Sequence, residues 1–194
     1  MFSEALKEAT QSVHTELERK LIAVIRKVSS PQEYIRLLEL MYGFYFPVQE
    51  KLLLYPKVQK FSSHDRGRKA ENLLADIHYF QPGTANELPL CNELPEINSY
   101  ASAIGVLYVL EGSTLGGRII AGMLSKQLGI SVEQGFSFFN AYGDETKMMW
   151  DHFKLLLDGA WNEEERTAIF NGATATFLSF KSWITKQEKS DAFF

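Results

Sequence analysis

Helical periodicity is the feature that most limits what this chain can become. Leu6, Val13, Leu17, Leu21, Val24 and Val28 recur at spacings of three, four and seven, which lays one apolar stripe along a helix. Strand-like alternation is scarce anywhere in the chain. The first helix is expected to stop near Ser29 and Ser30. The second opens on Ser30 as N-cap, Pro31 at the first helical position and Glu33 placed for a capping box. It continues through EYIRLLELMYGFYFPVQEKLLL, with a bend expected near Pro47. A third helix is expected over Asp65 to Tyr79, a long helical region over Ile97 to Gly129, and another helix over Glu145 to Leu157. A last one runs from Asn162 to Lys186, where Asn162 caps and Glu163, Glu164 and Glu165 load the first turn with acid. The stretch from Gln81 to Pro95 carries three prolines and a glycine and reads as a surface loop. Amphipathic helix resumes on both sides of it without a change of composition, so it is not a domain linker. No repeat of solenoid period is found. The expectation is an all-α fold with one domain over residues 1–194.

Composition narrows the function classes. With 194 residues, 45% hydrophobic and 23% charged, the chain can bury a single sizeable core and does not read as disordered. A net charge of −4 without a basic stripe argues against nucleic-acid binding. The lone Cys91 cannot form an internal disulfide and has no CxxC or CxxCH partner. The opening MFSEALKEATQ lacks a basic segment followed by an apolar one, and no apolar run reaches the length of a membrane span. The expectation is a cytoplasmic protein that uses no membrane.

Four histidines are present. At about 100° per residue, His14 falls at one edge of the first stripe, with Lys7, Gln11, Glu18 and Ile25 on the same flank. An edge histidine can face a crevice while its helix packs on the core. Glu18, one turn later, is placed to accept the N–H of an imidazole whose other nitrogen holds a metal, and Lys7 to reach an anionic group on the ligand. From geometry alone, a rim histidine beside a surface glutamate is the simpler reading. His64 lies in a polar stretch, His78 ends a helix, and His152 is expected at a core edge. No two histidines have metal-ligand spacing, and HExxH is absent.

The long helical region is unusual for its glycines. Gly105, Gly112 and Gly116 lie seven and four residues apart and share a face, with Gly117 at its border. Each interior glycine costs roughly 0.5–1 kcal/mol relative to alanine, so a gain elsewhere is required. Close helix packing, a kink, or backbone lying against a flat ligand would each supply it. GSTLGG is not a phosphate loop, because it lacks the lysine and follows no strand.

Two segments together resemble haem oxygenases. LKEATQSVHTELE, Leu6 to Glu18, is similar to the family's proximal-helix signature, in which LKEAT precedes VHT and an acid follows. YVLEGSTLGGRII, Tyr108 to Ile120, is similar to the distal helix in the EGSxLG form of bacterial members. NAYG at Asn140 to Gly143, with Trp150 and Phe153 after it, resembles the branch associated with bacteriophytochromes more loosely. The resemblance implies a haem-oxygenase-like fold with haem between a proximal helix and a kinked distal one. It implies His14 as the iron ligand and Glu18 as the carboxylate that orients it. Lys7 and Tyr108 are expected at the propionates, with Gln11 also contacting the ligand. Gly112, Ser113 and Gly116, bordered by Gly117, are expected over the iron, and Phe177 in the pocket wall. Lys147 is a weaker propionate candidate, and Arg118 is left without a role.

The activity implied is oxidative opening of haem to biliverdin, carbon monoxide and iron, using O2. Electrons would come from an external ferredoxin or reductase, since no flavin or nicotinamide motif is present. A phytochrome is one acceptor for the product that this branch implies. Ser113 stands where animal members have an aspartate that organises proton delivery, so the proton relay is left unassigned. Two other classes stay open from sequence: a non-enzymatic haem carrier or sensor, and a thiaminase-like helical protein acting on another small molecule.

Overall fold

The computed structural model describes residues 1–59, 69–83 and 87–190, and among these every regular element is helical. In chain order they are α1 (Phe2–Ile25), α2 (Pro31–Leu53), the short α3 (Pro56–Gln59), α4 (Ala70–Phe80), α5 (Tyr100–Gly112), α6 (Thr114–Leu128), α7 (Thr146–Leu157) and α8 (Glu163–Lys189). The expected third helix is found as α4. His64 and the Asp65 start lie outside the described residues.

Capping explains where several helices begin. Ser30 Oγ accepts the Glu33 N–H (3.3 Å) at the start of α2, as expected. The Glu33 carboxylate, however, reaches one residue further back and accepts the Ser29 N–H (2.8 Å). At α8 the box closes fully: Asn162 Oδ1 accepts the Glu165 N–H, and Glu165 Oε2 accepts the Asn162 N–H, both at 2.9 Å. Pro47 sits inside α2 without ending it. α1 stops at Ile25, earlier than the apolar pattern suggests, because Val28 is buried from a turn.

α8 is the central element. Its broadest contact is with α5 and its next with α1. The α5 crossing is close because it is built on glycines. A Cβ at Gly105 would stand 2.1 Å from the Ile169 carbonyl oxygen, and one at Gly172 would stand 2.4 Å from that of Ser102. Gly105 is therefore a packing residue, while Gly112, two turns on along the same face of α5, meets Trp150 instead, and Gly116 lies past the end of that helix. On the other side α8 packs Phe180 against Phe44 of α2 at 4.3 Å between ring centres, and Trp183 Nε1 donates to the Leu40 carbonyl.

The segment 135–143 reads from sequence as a mere connector, but it is core. Phe136, Phe138, Phe139 and Tyr142 are buried, and the segment is tied down by long-range bonds. Tyr34 donates to the Gly135 carbonyl (2.9 Å), and the buried Asp76 accepts the N–H groups of Ser137 and Phe138 (2.9 Å each). Burial pushes the Asp76 carboxyl above the usual range, against the opposing pull of those N–H donors. Residues Tyr100–Leu128 match a membrane-crossing helix in length and apolarity. More than half of the apolar window is nevertheless buried in the core, and the run is split at Ser113.

Candidate functional site

α1 presents its buried line along Leu6, Thr10, Leu17 and Val24, with the half-buried Val13 and Leu21 on either side of it, as the apolar periodicity predicts. His14 remains at the edge. It is exposed, and its ring makes no hydrogen bond among the described residues. Its one fixed neighbour is Phe177 of α8, buried and edge-on at 5.4 Å between ring centres and 65° between planes. The pairing leaves the imidazole nitrogens accessible while restricting how the ring tilts.

Lys7, Gln11 and Glu18 extend along the exposed flank. Gln11 Nε2 donates to Thr15 Oγ1 (3.1 Å), and no bond joins Glu18 to His14 among the described residues. Thr10, which the periodicity of α1 does not single out, is buried and donates to the Leu6 carbonyl (2.8 Å). It also faces Tyr108 of α5: burial raises the Tyr108 pKa, and the hydrogen bond with Thr10 pulls it partly back. Tyr108 is therefore held between helices, with Trp150 of α7 against its ring at 5.7 Å. Trp150 then meets Gly112, where a Cβ would lie 3.4 Å from its ring edge. The chain Thr10, Tyr108, Trp150 and Gly112 links the histidine helix to the end of α5.

At that end the helix breaks. Ser113 Oγ donates to the Leu110 carbonyl and Thr114 Oγ1 to the Glu111 carbonyl, both at 2.6 Å. Hydroxyls that bond back to carbonyls a turn earlier compete with the helical ladder and bend it. Since the Ser113 proton is engaged, the Tyr45 hydroxyl of α2 is the donor in its 2.9 Å contact with Ser113 Oγ. The carboxylate of buried Glu111 accepts from Tyr142 OH (3.0 Å). Beyond the break, a Cβ at Gly116 would meet nothing within 4 Å, and Gly117 is buried. The predicted glycine face thus divides into packing at Gly105, contact with Trp150 at Gly112 and open space at Gly116.

The remaining candidates lie apart from this assembly. Arg118 pairs with Asp144 and Lys147 with Asp151, each at 2.5 Å and exposed. His78 is exposed at the end of α4, and His152, expected at a core edge, is exposed because α7 turns Phe153 and Leu157 inward. No cluster of three metal-ligating side chains occurs among the described residues. A shallow depression bounded by Met1, Ser3, Glu4, Asp151, Lys154, Leu155 and Asp158 contains none of the candidates. Tyr45, Glu111 and Tyr142 are not legible as site residues in the sequence, because a hydroxyl or carboxylate that pairs across the fold leaves no periodic sign.

Comparison with known proteins gives one consistent match. The family model described as Heme oxygenase matches residues 1–186. A haem oxygenase of Xanthomonas campestris pv. campestris (strain 8004) is 34% identical over 97 residues, which is 49% of this chain and 57% of that protein. The aligned stretch therefore spans little more than half of this curated relative. Among solved structures, the Neisseria meningitidis haem oxygenase with NO and CO bound is similar at a TM-score of 0.80 and 22% identity, covering 99% of this chain and 95% of its own. The Leptospira interrogans haem oxygenase gives 0.74 and 20%, covering 95% and 98%. Haem oxygenase-1 from Synechocystis sp. PCC6803 in complex with haem gives 0.72 and 15%, covering 96% and 92%. At these identities the solved structures establish a shared fold.

Proposed function

This chain belongs to the haem oxygenase family, and from that premise we propose that it binds haem against α1 through His14 and opens the ring to biliverdin, carbon monoxide and iron. The observation that carries the reading is His14 itself. It is exposed, without a hydrogen-bond partner among the described residues, and steadied edge-on by Phe177. Bound haem supplies both the ring that is opened and the iron that activates oxygen. His14 contributes its imidazole, and Phe177 limits the ring's tilt. Glu18 lies one turn on, where it can take the second N–H once the ring is fixed.

On the opposite side the protein contributes mainly an absence. The open backbone at Gly116 keeps side chains away from the iron, so oxygen has room beside the ring. Lys7 on its exposed flank and Tyr108 on α5 orient the ring through its propionates, and orientation selects the carbon that is attacked. Ser113 and Tyr45 put two hydroxyls at the helix break, with the Tyr45 proton directed at Ser113 Oγ. Electrons arrive from an external ferredoxin or reductase, which fits a cytoplasmic setting. A phytochrome is the proposed acceptor of biliverdin.

The test supplies the purified chain with haem, a reductant and air. Loss of the Soret band with growth of biliverdin absorption in the wild type, and neither in His14→Ala, is the expected result. Haem that survives repeated reduction and aeration would identify a carrier or sensor. Haem that does not bind at all would point to another small molecule.

A further inference from the structure

The break between α5 and α6 is not set by local backbone. Ser113 has φ −65° and ψ −18°, ordinary right-handed helical values, and no side chain caps the start of α6. The hydroxyls of Ser113 and Thr114 loosen the ladder there, but loosening does not choose a direction. Direction requires a contact from elsewhere in the fold, and one that is buried on both sides falls on Glu111, the residue immediately before Gly112. Glu111 is 9% exposed and Tyr142 6%, and the tyrosine hydroxyl donates to Glu111 Oε2 at 3.0 Å. Breaking a hydrogen bond buried on both sides costs free energy, so this contact resists displacement. Tyr142 is itself held on a tied segment. Asn140 N–H donates to the Phe136 carbonyl (2.9 Å) and Gly143 N–H to the Asn140 carbonyl (3.0 Å), and the Asp76 and Tyr34 bonds pin the same segment to α4 and α2. The tether thus runs from the α2–α4 side of the core to the last turn of α5.

Resting on the haem-binding reading, we propose that Glu111 and Tyr142 are positioning residues: their buried contact sets the direction of the helix break and so the height of the Gly112–Gly117 backbone above the haem. Neither touches the reacting atoms. They act through the backbone of Gly112, where the added side chain of any other residue would meet Trp150.

The test uses the full chain and its Tyr142→Phe, Glu111→Ala and Glu111→Gln variants, with two readouts. On haem-free protein, amide hydrogen exchange across residues 112–117 is expected to quicken about tenfold in Tyr142→Phe and Glu111→Ala, and less in Glu111→Gln, which keeps an acceptor oxygen. On the ferrous haem–CO form, the same two variants are expected to shift and broaden the C–O stretching band. They should also release CO about threefold to tenfold faster, with the His14-dependent Soret band retained. Unchanged exchange overturns the tether. Quickened exchange with an unchanged C–O band and CO release overturns its role in positioning. A wild type that takes up no haem defeats the haem-binding reading and, with it, the positioning role, while exchange still decides whether the tether holds the break.

Discussion

The two sides of the candidate site are built in opposite ways. The proximal side is one exposed flank of α1, in which His14, Lys7, Gln11 and Glu18 follow from sequence spacing and only Phe177 is supplied by another element. The distal side is assembled from four places. Gly112 and Ser113 on α5 and its end are met by Tyr45 from α2, Tyr142 from the aromatic segment and Trp150 from α7. A ligand-bearing helix needs only to be present and correctly turned. A wall that must leave room while staying in place needs support from behind. The proximal side can therefore be read along the chain, whereas the distal side is legible only across it.

Mutations should separate the two sides, and the largest effect is expected at the ligand. His14→Ala should abolish the haem Soret band, whereas Ser113→Ala should leave haem affinity nearly intact and alter only the steps after binding. Titration of haem into both variants checks this, and equal losses would erase the distinction. The next contrast lies within the glycines. Gly105→Ala forces a Cβ against the Ile169 carbonyl and should destabilise by about 1–3 kcal/mol. Gly116→Ala meets open space and should instead stabilise by roughly 0.5–1 kcal/mol. Chemical denaturation distinguishes the signs.

Tyr45→Phe removes one hydroxyl contact to Ser113 and should lower stability by about 1 kcal/mol, measurable in the same denaturation experiment. The smallest effect is a pH slope. Burial raises the Asp76 pKa in the folded protein, so the folded state holds that proton more tightly than the unfolded one. The resulting stability is fully present below the ordinary aspartate value of about 3.9 and is lost as pH rises through the elevated folded value. Asp76→Asn should flatten Tm against pH in that window, at the expense of one of the two N–H contacts of the aromatic segment.

Much of the fold follows from sequence because its signals are local. Ser30 and Asn162 begin their helices as their side-chain chemistry dictates, and the glycine-rich run breaks where its hydroxyls and glycines cluster. The apolar pattern of α1 places the stripe but omits Thr10 from it, because a buried threonine that bonds its own helix looks polar in a periodicity count. The segment 135–143 is opaque for a related reason. Its aromatics follow neither helical nor strand spacing, and they become core through the aspartate of α4, some sixty residues away, that caps their backbone. Glu111 and Tyr45 are equally hidden, since nothing near them in the chain announces a partner.

The crossing of α8 with α5 has a mechanical consequence. One unbroken helix carries Phe177 against the histidine and, with Gly172 against Ser102 and Ile169 against Gly105, clamps the straight part of the distal wall. Both jaws of the vice are thus bolted to a single beam, and a sway of that beam carries them together without changing the gap. α6 lies past the break and packs on α5 and α7. It is the adjustable jaw, so any change in the width of the gap falls to the one stretch of the distal wall that the beam does not clamp.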